Sequence, residues 1–218
     1  MKILTHIGHN EKVFNMKRLL LILILTFSFQ TLVKSDDISD FEIEGMSIGD
    51  SLLDFFTDNE IESTIYKKSK YKDKSFKRGL FCNIKATHSF CKTKKKFEIY
   101  DAIQFHVKKN DPKFILYHLS GIKDYINQID KCNSKKSKIV DELKELFPST
   151  ETTSSKNKHP QDKEKKSIVY TTKFTFKDKT TSRVQCYDWS KKIGAPDHLK
   201  VSLDSKEYGH WLRNKAWK

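Results

Sequence analysis

Four cysteines are the residues of this sequence best suited to covalent or metal chemistry: Cys82, Cys91, Cys132 and Cys186. An even number of cysteines in an oxidising compartment is typical of disulfides, and four cysteines allow three pairings. Cys82, His88 and Cys91 also form C-x5-H-x2-C, whose ligand types suit zinc, but the pattern has neither a C-x-x-C pair nor an evident fourth ligand. We therefore predict two disulfides, and we predict no metal or other cofactor.

A second string with chemical potential is Gly49-Asp50-Ser51-Leu52, which spells the motif of a family of esterases with a serine nucleophile. Such a serine needs a distant histidine as base, and the late candidates here are His198 and His210. The Asp-x-x-His block of that family does not occur, and the residues before the string are short and acidic. The start of a helix also favours Ser and Asp. We predict that Ser51 caps a helix and assign no catalytic residue; a Ser51-dependent hydrolase is the alternative.

An export signal lies near the N-terminus. Met16-Lys17-Arg18 precedes eleven mostly apolar residues, Leu19 to Phe29, and a short polar stretch ends with Val33 and Ser35 at the −3 and −1 positions. The apolar run is shorter than the roughly 20 residues that span a bilayer, although an uncleaved anchor remains an alternative. We predict an over-called start at 1–15, a signal peptide at 16–35 cleaved near Ser35, and a single periplasmic or secreted domain at 36–218.

Charge is segregated along the chain, whose formal net charge is +14. The segment 36–64 contributes −10 and the segment 65–218 contributes +20, and Ile65 to Phe97 alone holds twelve Lys/Arg against one Asp. This Lys-rich 65–97 segment could bind a polyanion, a membrane surface or an anionic envelope polysaccharide. Lys greatly outnumbers Arg here, and an exported protein does not meet intracellular nucleic acid, so we expect no nucleic-acid partner. Solvation of the surface, or pairing with the acidic 36–64 segment, would also explain the charge.

Hydrophobic periodicity predicts an α+β fold. We expect a short N-terminal helix at Met46 to Phe56, a long helix at about 127–147, and an exposed, mobile loop at 149–166. The predicted strands cover 99–109, 114–119, 168–176, 181–189 and 199–203. Helices and strands in this order indicate an antiparallel sheet of about five strands with the long helix packed on one face.

This arrangement has consequences for individual side chains. Cys132 would lie on the inner stripe of the long helix and Cys186 on the apolar side of a strand, which favours Cys132–Cys186 and Cys82–Cys91 as the two disulfides. A tight turn after 99–109 would place His106 opposite Tyr117 and would put His106 and His118 on opposite faces of the sheet. We interpret the aromatic stretches 187–190 and 208–211 mainly as core, with a ligand groove as the alternative.

Several segments resemble a set of uncharacterised exported proteins from AT-rich free-living bacteria. These segments are FEIEGMSIGDSLLDFF (41–56), YDAIQFHVKKNDPKFILYHLSG (100–121), IVDELKELF (139–147), CYDWS (186–190) and LKVSLDS (199–205). The resemblance implies export and one domain and brings no activity with it. Taken together, the sequence predicts a non-catalytic binding or envelope-interaction module.

Overall fold

A computed structural model of the chain describes residues 37–68, 70–85 and 93–218. The predicted signal peptide, the predicted Cys82–Cys91 disulfide and the candidate zinc ligands His88 and Cys91 fall wholly or partly outside these ranges. Within them, none of the helices has both the length and the apolar character that a membrane span requires.

The fold is dominated by one sheet of eight strands, in the order β2-β1-β3-β4-β8-β7-β6-β5. β1 and β2 are parallel, whereas the other neighbouring strands are antiparallel. The prediction of about five antiparallel strands is therefore wrong: the sheet is larger and mixed. The strands are β1 (Phe76–Asn83), β2 (Lys94–Lys95), β3 (Ala102–Lys108), β4 (His118–Asp124), β5 (Glu151–Lys158), β6 (Ile168–Thr175), β7 (Thr181–Asp188) and β8 (His198–Asp204).

The strands that sequence reasoning missed lack a clear apolar alternation. β5 is exposed along its whole length and forms one edge of the sheet, so it reads as a polar loop although it pairs with β6 throughout. In β1, basic residues and Gly79 interrupt the apolar pattern. A Cβ at Gly79 would lie 2.1 Å from the Phe105 ring, so the close approach of β3 requires glycine at this position.

The register between β3 and β4 also differs from the prediction. His106 pairs with His118, and Phe105 pairs with Leu119. β4 begins late because the residues before it hydrogen-bond to the N-terminal segment: the Leu52 N–H donates to the Phe114 carbonyl at 3.2 Å. Since a slip of one residue exchanges the two faces of a strand, His106 and His118 lie on the same face, and the prediction of opposite faces is wrong.

Among the described residues, three α-helices accompany the sheet: α1 (Asp58–Thr64), α2 (Ile129–Leu146) and α3 (Lys206–Asn214). α1 begins with a capping box, in which the Thr57 and Glu60 side chains each accept from the other's backbone N–H. The helix predicted at Met46 to Phe56 is absent. That segment forms turns and one short 3-10 helix, Leu52–Asp54, because Gly49 adopts a positive φ of 99° and the neighbouring backbone groups bond to the segment before β4.

α2 packs against β7 and β8. Its buried residues Cys132, Val140 and Leu143 join the main core cluster, and the Cys132–Cys186 disulfide links the helix to β7. This disulfide confirms the predicted pairing. The reasoning succeeded because each cysteine occupies an apolar stripe whose period was visible in the sequence.

The two faces of the central strands differ sharply. The face that contacts α2, here called the apolar face, contains Ile103, Phe105, Leu119, Val184, Val201 and Leu203. Strand alternation places polar residues on the opposite side, here called the polar face: Gln104, His106, His118, Ser120, Arg183, Lys200, Ser202 and Asp204. His106, His118, Ser120, Ser202 and Asp204 are buried there.

Candidate functional site

The largest concentration of unbalanced charge lies in a groove beside β1. This lysine groove encloses ≈790 Å³ between β1 and the segment that follows α1. Its lining contains one carboxylate, from Glu62, and three aromatic side chains, from Tyr66, Tyr71 and Phe76. Seven cationic residues also line it: Lys67, Lys68, Lys70, Lys74, Lys77, Arg78 and Lys109.

Backbone pairing holds the two walls of the lysine groove together. Ile65 bridges to Gly79, and the Tyr66 N–H donates to the Arg78 carbonyl at 3.0 Å. The Arg78 guanidinium lies 4.2 Å from the centre of the Tyr66 ring, a cation–π distance. Deeper in the groove, Tyr71 is buried, and its ring meets Trp211 of α3 edge to face at 5.0 Å. The groove therefore has a buried aromatic base beneath exposed lysine side chains.

Acidic residues of the 36–64 segment neutralise only part of this charge. Glu62 pairs with Lys77 at 3.1 Å on the groove wall, and Glu60 pairs with Lys95 beyond it. The hydrogen bond from Lys95 and those from Thr57 lower the pKa of Glu60 to about 2, so its carboxylate stays ionised at neutral pH. The acidic segment thus lies against the basic one, as one of our interpretations proposed, yet most groove lysines face solvent.

Lys70 is affected both by partial burial and by the positive charge of the groove. Its ammonium lies 5.7 Å from the centres of both the Tyr71 and the Trp217 rings. Loss of solvent contact at this position and the positive charge of Arg78 lower the pKa of Lys70. A bound anion would reverse the second effect, because an opposite charge favours the protonated amine.

Behind the groove, the polar face carries a buried hydrogen-bonded network. His118 Nδ1 lies 2.6 Å from Asp204 Oδ1, and Arg183 Nη2 donates to Asp204 Oδ2 at 2.6 Å. Thr181 Oγ1 also donates to Asp204 Oδ2, at 3.1 Å. Burial alone would raise the pKa of Asp204, but Arg183 and the hydrogen bonds outweigh it and hold that pKa well below its usual range. Asp204 is therefore a buried carboxylate that Arg183 neutralises.

His106 extends this network toward the lysine groove. Its ring contacts the His118 ring edge to face at 5.0 Å, and Tyr208 Oη lies 3.5 Å from His106 Nε2. The Tyr71 ring, which lines the groove, is 6.0 Å from His106. Burial lowers the pKa of His106 well below its ordinary value and lowers that of His118 to about 4, so both rings are neutral at neutral pH.

A histidine bound to a carboxylate occurs in many acid–base catalytic sites. A catalytic histidine must be accessible to a substrate, and these histidines are buried. His106 is 0% exposed and His118 is 2% exposed. The Tyr208 ring stacks over His118 at 4.8 Å and is itself buried. A general base must reach the proton that it removes, and these rings touch protein on all sides. The network contacts Tyr71 and Tyr208 of α3, and its burial favours a structural role.

Ser51 occupies the capping position that the sequence predicted, although the helix is only a single turn. Its hydroxyl donates to the Lys113 carbonyl at 2.6 Å and accepts from the Leu53 N–H at 3.2 Å. The candidate bases are engaged elsewhere: His198 Nδ1 lies 2.9 Å from the Pro196 carbonyl, and His210 contacts Asn214. Both of these Ser51 hydrogen bonds are made with backbone groups, which favours the capping role.

The aromatic stretches near the C-terminus divide between two places. Tyr208 and Trp211 are buried in a cluster with Tyr71, Phe76 and Ala216 beside the lysine groove. In contrast, Tyr187 and Trp189 stack on each other at 5.7 Å at the far end of the polar face. The buried positions of Tyr208 and Trp211 are those of core side chains, which is how we interpreted the stretch 208–211.

Sequence reasoning missed the histidine–aspartate pair because 86 residues separate its members. The available signal was the polar alternation of two apolar strands, His118–Ser120 and Ser202–Asp204. With the correct strand order, that alternation predicts one shared polar face.

Across the ranges that the structure describes, no group of three or more His, Cys, Asp or Glu side chains is arranged to hold a metal ion. Comparison of the chain with protein-family models, curated proteins and solved structures finds no match.

Proposed function

We propose that this protein is a non-catalytic binding module that takes up an acidic polysaccharide in the lysine groove. The observation that carries the proposal is the lining of that groove, with seven cationic residues against one carboxylate. A regularly charged polymer can contact several of these lysines together, and such multiple contacts add where one exposed ion pair contributes little. Sugar rings also have apolar faces that could pack against the half-buried Tyr66 ring.

The shape and composition of the site favour a soluble polymer over the other polyanions. A membrane surface would be met by a flat or convex patch with apolar side chains for insertion, whereas these lysines line a groove. Trp217 is an exposed apolar side chain beside the groove, and its ring centre lies 5.7 Å from the Lys70 ammonium. Nucleic acid is less suited, because a single arginine, Arg78, offers the bidentate geometry that phosphates select.

Export belongs to the same proposal. The signal-like segment at 16–35 would deliver the domain to the periplasm or the exterior, where envelope polysaccharides are found. Sequencing of the N-terminus of the mature protein from the producing cell tests this directly. We expect a start close to Asp36, and a retained N-terminal segment would contradict cleavage near Ser35.

The binding proposal is tested by calorimetric titration with a hexamer of galacturonic acid. We expect affinity to fall steeply as NaCl rises from about 0.05 to about 0.5 M, because salt screens contacts between exposed charges. The variant Lys67→Gln/Lys68→Gln/Lys70→Gln should bind at least about tenfold more weakly at low salt, given about 0.5–1 kcal/mol for each contact.

A matched control separates the groove from overall charge. Lys135→Gln/Lys138→Gln/Lys144→Gln removes the same number of charges from exposed positions of α2. We expect this control to bind within about twofold of the wild-type protein. Equal weakening of both variants would contradict the groove as the site, and preferential binding of anionic vesicles or oligothymidylate would contradict the polysaccharide.

A further inference from the structure

The lysine groove continues into two neighbouring cavities. A cavity of ≈970 Å³, here called the middle cavity, shares Lys74, Phe76 and Lys109 with the groove. A further cavity of ≈500 Å³ shares Glu207 with the middle cavity and lies against α3. Because each cavity shares lining residues with the next, the three form one path from β1, past the connection between β3 and β4, to α3.

The far end of this path is basic again. Lys206, His210 and Arg213 follow one another at spacings of four and three residues, so these exposed side chains share one face of α3. Lys179 joins them from the turn between β6 and β7, where its N–H donates to the Phe176 carbonyl at 3.0 Å. The four residues that line this cavity with Glu207 are here called the α3 patch: Lys179, Lys206, His210 and Arg213.

The one carboxylate beside the α3 patch is already paired. Glu207 Oε1 lies 3.1 Å from Lys108 Nζ, on the side of the middle cavity. In the part of the chain that the structure describes, no ion pair joins Lys179, Lys206 or Arg213 to a carboxylate. The α3 patch therefore presents three positive charges to solvent that these residues do not match.

The middle cavity separates the two basic regions without repelling an anion. Its lining balances three lysines against three carboxylates: Lys74, Lys108 and Lys109 against Asp73, Asp111 and Glu207. The carboxylates are also engaged locally, since Asp73 accepts from Trp211 Nε1 at 2.8 Å and Asp111 accepts from the Ile115 N–H at 2.9 Å. The path thus has two basic ends joined by a stretch without net charge.

We propose that the acidic polysaccharide occupies this whole path, with one stretch of the polymer in the lysine groove and a later stretch on the α3 patch. The inference rests on the proposed function and specifies its ligand as a long polymer bound along its length. Three exposed cations alone hold a free anion only weakly. A polymer already held in the groove, however, supplies the α3 patch with carboxylates at a high effective concentration, so the two sets of contacts combine.

Ligand length separates this inference from the proposed function. The probes are a hexamer and a dodecamer of galacturonic acid, titrated by calorimetry into the wild-type protein and into Lys179→Gln/Lys206→Gln/Arg213→Gln. We expect this α3 variant to bind the dodecamer at least about tenfold more weakly and the hexamer within about twofold of the wild-type protein. A longer chain also offers more overlapping positions in the groove, but this statistical gain is the same in both proteins and cancels.

Side-chain signals locate the polymer on the protein. In a nitrogen-15 correlation spectrum each indole N–H of the three tryptophans gives one signal. Trp217 reports the lysine groove, because its ring centre lies 5.7 Å from Lys70 Nζ, and the imidazole signals of His210 report the α3 patch. Trp189, at the far end of the polar face, serves as a reference. We expect the dodecamer to shift the Trp217 and His210 signals at the same concentrations, and the hexamer to shift the Trp217 signal alone in that range.

The control is Lys135→Gln/Lys138→Gln/Lys144→Gln on α2, which removes the same number of charges and should bind the dodecamer within about twofold of the wild-type protein. If Arg213→Gln lowers the melting temperature, Lys179→Gln/Lys206→Gln should still weaken dodecamer binding at least about fourfold.

The overturning results are specific to each proposal. Full dodecamer affinity in the α3 variant, or a dodecamer that moves the Trp217 signal and leaves His210 in place, would show that the path ends in the lysine groove. The groove site would then stand without its extension. If neither oligomer moves the Trp217 signal, the proposed function itself is wrong, and the extension is wrong with it.

Discussion

The same central strands present two chemically different faces, one that packs apolar side chains and one that carries hydrogen-bonded polar side chains. On the apolar face, Leu203 of β8 packs in the main core, which α2 and the Cys132–Cys186 disulfide close. One residue further along, Asp204 points to the polar face and binds His118 and Arg183. The apolar face thus depends on contacts without direction or charge, whereas the polar face depends on defined hydrogen bonds and protonation states.

The polar face also carries an energetic cost that the apolar face does not. His106 Nδ1, His118 Nε2 and Arg183 Nε are buried without a hydrogen-bond partner among the described residues, which costs about 1–3 kcal/mol for each such group. A sheet built only for stability would replace these side chains with apolar ones. We infer that the polar face is retained because it supports α3 and Tyr71 beneath the lysine groove.

The largest expected effects come from neighbouring residues on opposite faces. Asp204→Ala removes the partner of both Arg183 and His118 and should lower the free energy of unfolding by about 3–5 kcal/mol. Leu203→Ala should cost about 2–5 kcal/mol through the cavity that it creates. Urea unfolding at about pH 7 and below about pH 4 distinguishes the two. The Asp204 loss should shrink progressively as the pH falls further below about 4, because the unfolded chain then takes up a proton that the folded Asp204 carboxylate, with its lowered pKa, still excludes, whereas the Leu203 loss should persist. Parallel pH behaviour would contradict the comparison.

The disulfide should contribute nearly as much to the apolar face. It joins residues that are 54 positions apart, so the double variant Cys132→Ala/Cys186→Ala should lose about 4 kcal/mol in the chain-entropy description. Urea midpoints measure this loss. The loss should not vary between about pH 5 and 7, because no titrating group takes part. A loss below about 1 kcal/mol would show that α2 is held by packing alone.

The polar face should make stability depend on pH. In the unfolded chain His118 takes up a proton near pH 6.5, whereas in the folded protein its pKa is about 4. Between these values the unfolded state binds more protons, so the free energy of unfolding falls as the pH drops from 6.5 toward 4. The loss is on the order of 3 kcal/mol for this group and is absent above that window.

Asparagine substitution tests the origin of that pH dependence. His118→Asn keeps a donor for Asp204 but cannot titrate, so the slope of stability against pH should become shallower. His210→Asn, at an exposed position of α3, should leave the slope unchanged. Melting temperatures measured across this window provide the comparison, and identical slopes in all three proteins would exclude His118 as a source.

The smallest effect is expected at Ser51. Ser51→Ala removes the cap of the turn at Leu52–Asp54 and should cost about 1 kcal/mol without altering the pH dependence. The same variant checks the esterase-like string: hydrolysis of p-nitrophenyl acetate should be the same with and without the hydroxyl. Hydrolysis that requires Ser51 would contradict the capping role.

The sequence predicted the features that have a visible period. Cys132 and Cys186 could be paired because each lies on an apolar stripe with helical or strand spacing. β5 could not be predicted, because an edge strand exposed on all sides has no apolar pattern. The His106–His118 register depended on backbone bonds between the segment before β4 and residues near Ser51, and no local pattern records such bonds.

The candidate sites show the same limit. Composition identified the Lys-rich 65–97 segment. Which of its lysines line the groove and which form salt bridges depends on how α1 packs against β1, and composition does not show this. Long-range strand order, which local periodicity does not determine, creates the lysine groove.

The most direct test of the account is a titration of the indole N–H signals with the galacturonic acid hexamer. We expect the Trp217 signal to shift in a saturable way, the Trp189 signal to stay in place, and the affinity to fall steeply between about 0.05 and 0.5 M NaCl. The shift should weaken at least about tenfold in Lys67→Gln/Lys68→Gln/Lys70→Gln. A Trp217 signal that does not move, or a shift that the triple variant and the α2 control retain equally, would contradict a polysaccharide site in the lysine groove.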